Sequence, residues 1–291
     1  MAVISYRDAI NQALAEEMRR DEAIVCFGED VAEYEGSFKV TRGLLAEFGP
    51  QRVFDTPISE AAIVGMATGM AMDGLRPVPE LMTVNFSLVA MDQIVNHLAL
   101  MRYMFGGQVT LPVTIRMPGG GGHQLGSQHS HSLEVFFVHK PGLIVVAPAT
   151  PADAKGLLIA SIRDDNPVIF LEHEGLYNAT GEVPDDLPAA ALGEAAVTRE
   201  GSDATVVAFS AMSGVALEAA GKLAADGVSA EAIDLRTLRP WDRDAVLESV
   251  AKTHRLVTVE ESQPTCGIGA EIAATVAEEA FDHLDAPPVR V

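Results

Sequence analysis

Short runs of consecutive apolar, often β-branched residues alternate along this chain with longer stretches in which apolar positions recur every three to four residues. The runs at 24–27, 52–54, 77–81, 112–116, 143–146 and 168–171 predict strands, and the stretches at 5–20, 59–73, 86–104 and 151–164 predict helices. Strands that are apolar throughout, without polar alternation, are buried on both faces, so this order predicts a parallel sheet covered by helices on each side. The first helix carries its own start signal. Ser5 and Asp8 form a capping-box pair, and Ile10, Leu14 and Met18 fall on one face.

The period is lost at 181–192, where Gly-Glu-Val-Pro-Asp-Asp-Leu-Pro leads into alanines, and this stretch is read as a linker. A second βα alternation follows, with strands at 204–210, 230–235, 256–260 and 288–291, a helix ending at 225, another starting at 242 and a third at 269–281. The expected fold class is α/β, as two open, mainly parallel domains at 1–180 and 193–291. A chain of 291 residues with 48% hydrophobic and 21% charged residues is long and apolar enough to bury the cores of both.

Charge narrows the partners. A net charge of −21 argues against a nucleic-acid or anionic-membrane surface, since both need a positive face to displace counterions. Two cysteines, Cys26 in an apolar run and Cys266 before Gly267, make no disulfide framework and fit a reducing compartment. The N-terminus reads as an amphipathic helix and not as a signal peptide. The longest apolar stretch, 61–72, stops at Asp73, short of the roughly 20 residues a membrane span needs. A soluble, cytoplasmic protein is expected.

Within this frame Glu60 is conspicuous, because it opens the small-residue helix Glu60-Ala61-Ala62-Ile63-Val64-Gly65-Met66-Ala67-Thr68-Gly69-Met70. In the plainest reading Ser59 caps the helix and Glu60 is a first-turn acid favoured by the helix dipole. The glycines argue for more. Each costs a helix about 1 kcal/mol, which close approach of another backbone or a flat ligand would offset. Elsewhere Met82, Thr83, Val84, Asn85 and Phe86 follow a predicted strand, at the edge where open α/β sheets bind ligands. Gly119 to Gly122 precede His123, His129 and His131; without Gly-Lys-Ser/Thr this is no Walker loop, and the histidines lack a familiar metal-ligand spacing. The acids Glu29, Asp30, Glu33 and Glu35 read as a solvated turn, with Glu29 set apart by the apolar strand and Gly28 before it. Asp164, Asp165, Asn166 and Pro167 read as a helix-to-strand turn built on Asx side chains.

Acid, four residues, Gly, apolar, two residues, Gly, apolar resembles the pyrimidine-side signature of thiamine-diphosphate enzymes, and Glu60, Gly65, Met66, Gly69 and Met70 fill it. Gly28-Glu29-Asp30-Val31-Ala32, Gly36 through Leu44, Asp55 to Glu60, Gln128-His129-Ser130 and Pro151 to Leu158 extend the resemblance over essentially the whole chain. They are similar to the β subunits of heterotetrameric 2-oxo-acid dehydrogenase decarboxylases, most like the pyruvate type. That resemblance implies a transketolase-like pyrimidine-binding domain followed by a transketolase C-terminal-like domain. It implies that Glu60 bonds the pyrimidine ring nitrogen of thiamine diphosphate and so activates the cofactor. It further implies that Phe86 stacks on the aminopyrimidine with Met82 and Ile58 beside it, that Glu29 belongs to a polar channel near the cofactor, and that His129 faces the substrate and lipoyl group. His131 stands where relatives often carry Gln. A structural potassium ion is implied at Val113, Ser161, Ile162, Asp164 and Asn166.

One absence matters as much. The Gly-Asp-Gly segment that binds diphosphate through Mg²⁺ does not occur; Asp73-Gly74 follows Met72. The resemblance therefore implies half a site, completed by an α subunit in an α2β2 assembly that serves a lipoyl acyltransferase core. A self-sufficient transketolase-like enzyme is ruled out by the same absence. Acetoin and branched-chain 2-oxo-acid dehydrogenase β subunits stay open as alternatives, as does a non-catalytic scaffold, against which Glu60, Phe86 and His129 speak. Relatives usually continue beyond Val291 with a tail that completes the second domain and helps bind the acyltransferase core.

Overall fold

The computed structural model describes residues 1–122 and 124–291, and His123 lies outside the described residues. The chain forms two compact units, one of 1–146 with 150–192 and one of 147–149 with 193–291.

The first unit is built on a parallel sheet whose strands run, side by side, Val53–Asp55, Ile24–Gly28, Arg76–Glu80, Thr114–Gly119, Val168–His173 and Ile144–Val146. All these strands point the same way, so Gly28, Asp55, Glu80, Gly119 and His173 end at one edge, where ligands bind in open α/β sheets. Helices Tyr6–Arg20 and Pro151–Arg163 cover one face. Their buried sides share a core with Ile24, Cys26, Val78, Val168 and Phe170. Tyr6, Ile10, Leu14 and Met18 are fully buried there, each contributing on the order of 1.5–3 kcal/mol. Ser5 caps the first helix as expected, its hydroxyl accepting the Asp8 N–H at 3.1 Å and donating to the Asp8 carboxylate at 2.7 Å.

Two expectations need correction. The segment 86–104 is not one helix: a 3₁₀ turn at Val84–Leu88, a π-helical stretch at Gln93–Leu98 and a short helix at Met101–Met104 follow one another. The wider π turn, with Ala99 N–H bonded to Ile94 carbonyl, goes with full burial of both Ile94 and Leu98. The stretch 181–192 is not wholly irregular either, because strand Thr180–Val183 pairs antiparallel with Ala2–Ser5.

In the second unit the strand order is Ala196–Arg199, Ala230–Asp234, Ala204–Ala208, Leu256–Val259, Val289–Arg290. Only the first of these runs antiparallel to its neighbour. Helices Ala211–Ala225, Arg243–Thr253 and Ile268–Glu279 alternate with them. Among the described residues no helix is long and apolar enough to cross a membrane.

Candidate active site

Glu29 and Glu60, thirty-one positions apart, are brought together by the ends of two neighbouring strands. The first strand leaves the sheet at Gly28 because nothing larger fits: φ is +154°, and a Cβ there would stand 2.3 Å from the Glu80 carbonyl oxygen. The turn beyond it is tied to the next strand. Asp55 accepts the N–H groups of Ala32 and Glu33 at 2.7 and 3.1 Å, and Thr56 N–H donates to the Gly28 carbonyl at 2.9 Å. Glu29 and Glu60 are only 5% and 6% exposed. Burial, then the negative charge of Glu60, then that of Asp30 and a hydrogen bond with Glu60 hold the Glu29 carboxyl above the ordinary carboxylate range. Its Oε1 has no hydrogen-bond partner among the described residues. Ser59 stands at the N-cap of helix Glu60–Met72, but its side chain makes no capping bond, so capping does not account for the acid beside it. Of the other acids in the turn, Glu33 is exposed while Glu35 accepts the Gly43 N–H at 3.0 Å.

The strand Arg76–Glu80 delivers Met82 and Phe86, both half-buried. Phe86 meets His129 edge to face, the ring centroids 5.3 Å apart and the planes at 83°. Between them in sequence, Thr83 and Asn85 are buried and joined at 3.0 Å, and Asn85 Nδ2 has no partner among the described residues. Ile58, just before Glu60, is 82% exposed.

His129 is exposed and is held by its backbone, with its N–H bonded to the Gly126 carbonyl at 3.1 Å. The loop that carries it starts in a tight corner. A Cβ on Gly119 would lie 2.8 Å from Val84 Cγ1, and Gly120 N–H donates to the His131 carbonyl at 3.1 Å. His131 is half-buried, and neither its Nδ1 nor Ser130 Oγ has a partner among the described residues. His173, at the end of its strand on the same edge, is a residue the sequence reading passed over. The signal was available: a polar residue closing an apolar strand at the carboxyl end of a parallel sheet.

Val113, Ser161, Ile162, Asp164 and Asn166 gather at another corner of the same unit. The Val113 carbonyl accepts Val168 N–H at 2.8 Å, and the Ile162 carbonyl accepts Nε of Arg76 at 3.0 Å. The Ser161 carbonyl accepts Asp164 N–H at 3.3 Å. Asp164 Oδ1 accepts both nitrogens of Asn166, at 2.7 and 2.9 Å, and Asn166 Oδ1 accepts Arg102 Nη1 at 2.5 Å. The Arg76 guanidinium also donates to the Asp164 carbonyl at 2.8 Å, and each of these carbonyls keeps a second lone pair.

Comparison with known proteins agrees with the two-unit α/β fold. Residues 2–180 match the transketolase pyrimidine-binding domain and residues 193–291 the transketolase C-terminal domain. The chain is 52% identical to a pyruvate dehydrogenase E1 component subunit beta of Rhizobium meliloti (strain 1021), over 99% of this chain and 63% of that protein. It thus spans less than two thirds of that relative's length. It is 50% identical to the protein of the same name from Rickettsia felis, over 98% of this chain and 87% of that one. It is 49% identical to a mitochondrial subunit beta-2 from Oryza sativa, over 99% and 78%. Among solved structures, a split-gene transketolase in an inactive β4 tetramer superposes with a TM-score of 0.82 at 26% identity, covering 99% of this chain and 88% of that one. The chain belongs to the transketolase family, and within it to the pyruvate dehydrogenase E1 β subunits.

Proposed function

We propose that this chain is the β subunit of a pyruvate dehydrogenase that uses thiamine diphosphate, decarboxylates pyruvate oxidatively and passes the acetyl group to lipoyl domains of an acyltransferase. The observation that carries the reading is the buried Glu29–Glu60 pair. It lies on the same sheet edge as half-buried Phe86 and Met82, and one Glu29 oxygen has no hydrogen-bond partner among the described residues. These residues fit an aminopyrimidine, which needs a carboxyl group at a ring nitrogen and flat apolar surface beside it. When bound, thiamine diphosphate supplies the nucleophilic carbon and the electron sink that a 2-oxo acid needs to lose carbon dioxide.

In this reading Glu60 holds a proton at the pyrimidine nitrogen, and Glu29, whose carboxyl is kept protonated more readily than an ordinary one, exchanges that proton with it. Phe86 offers the stacking face, and Met82 and Ile58 flank it. His129, exposed and edge-on to Phe86, is assigned the side facing the substrate and the incoming lipoyl group. The chain lacks a Gly-Asp-Gly segment, so the diphosphate and its Mg²⁺ are assigned to an α subunit in an α2β2 assembly, with Ile58 and the open face of helix Glu60–Met72 covered there. Potassium at the Val113–Asn166 corner and a cytoplasmic location belong to the same proposal. The split-gene transketolase of similar fold is described as inactive in its β4 tetramer, and this chain without its partner is expected to be inactive as well.

The test is a co-purified assembly with Glu60→Gln. Turnover of pyruvate should fall by about 100-fold or more, the weight of a positioned acid–base group, while calorimetry still registers cofactor binding. Full activity in that variant, or robust turnover by the chain alone, would overturn the reading.

A further inference from the structure

Strand Val168–His173 ends in register with Gly119, so the imidazole of His173 lies beside the start of the glycine-rich loop. It is 7% exposed. Its Nδ1 accepts the N–H of Gly175 at 3.1 Å; a nitrogen that accepts carries no proton, which puts the ring proton on Nε2. The ring also lies close to two glycines. A Cβ on Gly175 would stand 3.2 Å from both Cε1 and Nδ1, and one on Gly122 would stand 3.4 Å from Cε1. At its start the loop is anchored separately, with Gly119 against Val84 and Gly120 bonded to His131. Val84 belongs to the turn that carries Phe86. The start of the loop that carries His129 therefore lies beside a third segment, 173–175, in which the His173 ring accepts the Gly175 N–H.

We infer that His173 is a positioning residue: by accepting the Gly175 N–H at Nδ1 it keeps its ring against Gly122 and so sets the loop from which His129 acts. The inference rests on the decarboxylase reading above. It gives His173 no contact with substrate or cofactor. What it controls is the placement of a catalytic side chain, and misplacement by about 1 Å costs on the order of 100-fold in rate.

Three substitutions in the α2β2 assembly separate placement from chemistry. Asn puts an amide oxygen near the position of Nδ1, Gln reaches toward Nε2, and Ala does neither. In His173→Ala and His173→Gln, kcat for acylation of a lipoyl domain should fall by about 10- to 100-fold. The KM for pyruvate and the cofactor Kd should stay within about 3-fold of wild type, because placement of His129 is not used in binding them. His173→Asn should keep kcat within about 3-fold, since it restores the acceptor. Hydrogen exchange read by mass spectrometry should quicken across 119–131 and at Gly175 in the Ala and Gln variants, and not in the Asn variant. Wild-type kcat and wild-type exchange in His173→Ala would overturn the inference. So would a His173→Asn variant as slow as His173→Ala, which would mean that the ring works through Nε2. If the wild-type assembly shows no cofactor-dependent decarboxylation, the functional reading falls, and the exchange pattern across 119–131 alone then decides whether His173 sets the loop.

Discussion

Glu29 keeps its proton more tightly in the folded chain than an ordinary glutamate does, because it is buried beside Glu60. The sign of the consequence follows from linkage. As pH rises past the ordinary carboxylate range the unfolded chain gives up this proton first, so the folded state loses stability until Glu29 also ionises. Glu29→Gln removes that loss. Its melting temperature should exceed that of the wild type at pH 8, and the advantage should vanish as pH falls toward 4.5, the ordinary glutamate value; an advantage equal at both pH values would contradict the burial of the pair. The cysteines give an independent check on residue environments. Burial pushes the Cys26 thiol up to about 12, whereas Cys266 is exposed. A thiol reagent at pH 8 should modify Cys266 in the folded chain and reach Cys26 only on unfolding.

Strands Arg76–Glu80 and Thr114–Gly119 share one register pair, Glu80 with Arg116, and the side chains of that pair continue the connection. Arg116 is fully buried. Its Nη1 donates to Glu80 Oε2 at 2.6 Å, and its Nη2 donates to Glu172 Oε2 at 2.9 Å. Its Nε lies 2.7 Å from Glu172 Oε1, a charge contact too poorly aligned to be a hydrogen bond. Tyr177 adds its hydroxyl to Glu172 at 2.6 Å. One guanidinium thus pins three strands just below the ends that carry the site. Arg116→Met should destabilise the chain by about 3–5 kcal/mol in urea titrations, since it strands two carboxylates in the core. Part of the loss should be recovered at acid pH, where Glu80, already pushed up by burial, is neutral; a loss independent of pH would refute the role assigned to charge. None of this network was readable beforehand, because its members come from three separate strands and each looks like a solitary polar residue in an apolar run. The parallel strands and the main helices were readable, since burial on both faces writes itself as uninterrupted apolar runs. The four-residue strands Ala2–Ser5, Thr180–Val183 and Ala196–Arg199 were not, being short and partly exposed. Spacing drew attention to Glu60, and position at a strand end drew attention to Phe86. The contact of Glu29 with Glu60 depends on a crossover that spacing does not encode, whereas His173, a polar residue closing an apolar strand, was legible and passed over.

At the scale of the molecule, the helix Glu60–Met72 meets two different environments. Gly65 packs within the chain, where an added Cβ would stand 3.3 Å from Gln93 Oε1, but among the described residues nothing beyond the helix's own backbone lies within 4 Å of the corresponding position on Gly69. Ala62, Gly69 and Met72 are exposed on one side, an apolar stripe with no charge. If this side is where a second polypeptide's backbone packs, Gly69→Leu should have opposite effects on the chain and on the assembly. In the isolated chain a leucine has room, and replacing glycine within a helix gains about 0.8–1 kcal/mol of helix propensity, so the melting temperature should hold or rise. In the assembly the same side chain would occupy space meant for the neighbour. Sedimentation of co-expressed subunits should then show the α2β2 species lost or weakened by about 5- to 150-fold in Kd, the size expected when a close-packed contact is overfilled by 1–3 kcal/mol. Turnover should fall in proportion to the assembly that remains, with kcat per assembled site unchanged. A Gly69→Leu variant that assembles like the wild type would place the partner elsewhere, and the glycine would then need another reason to stand in an otherwise favourable helix.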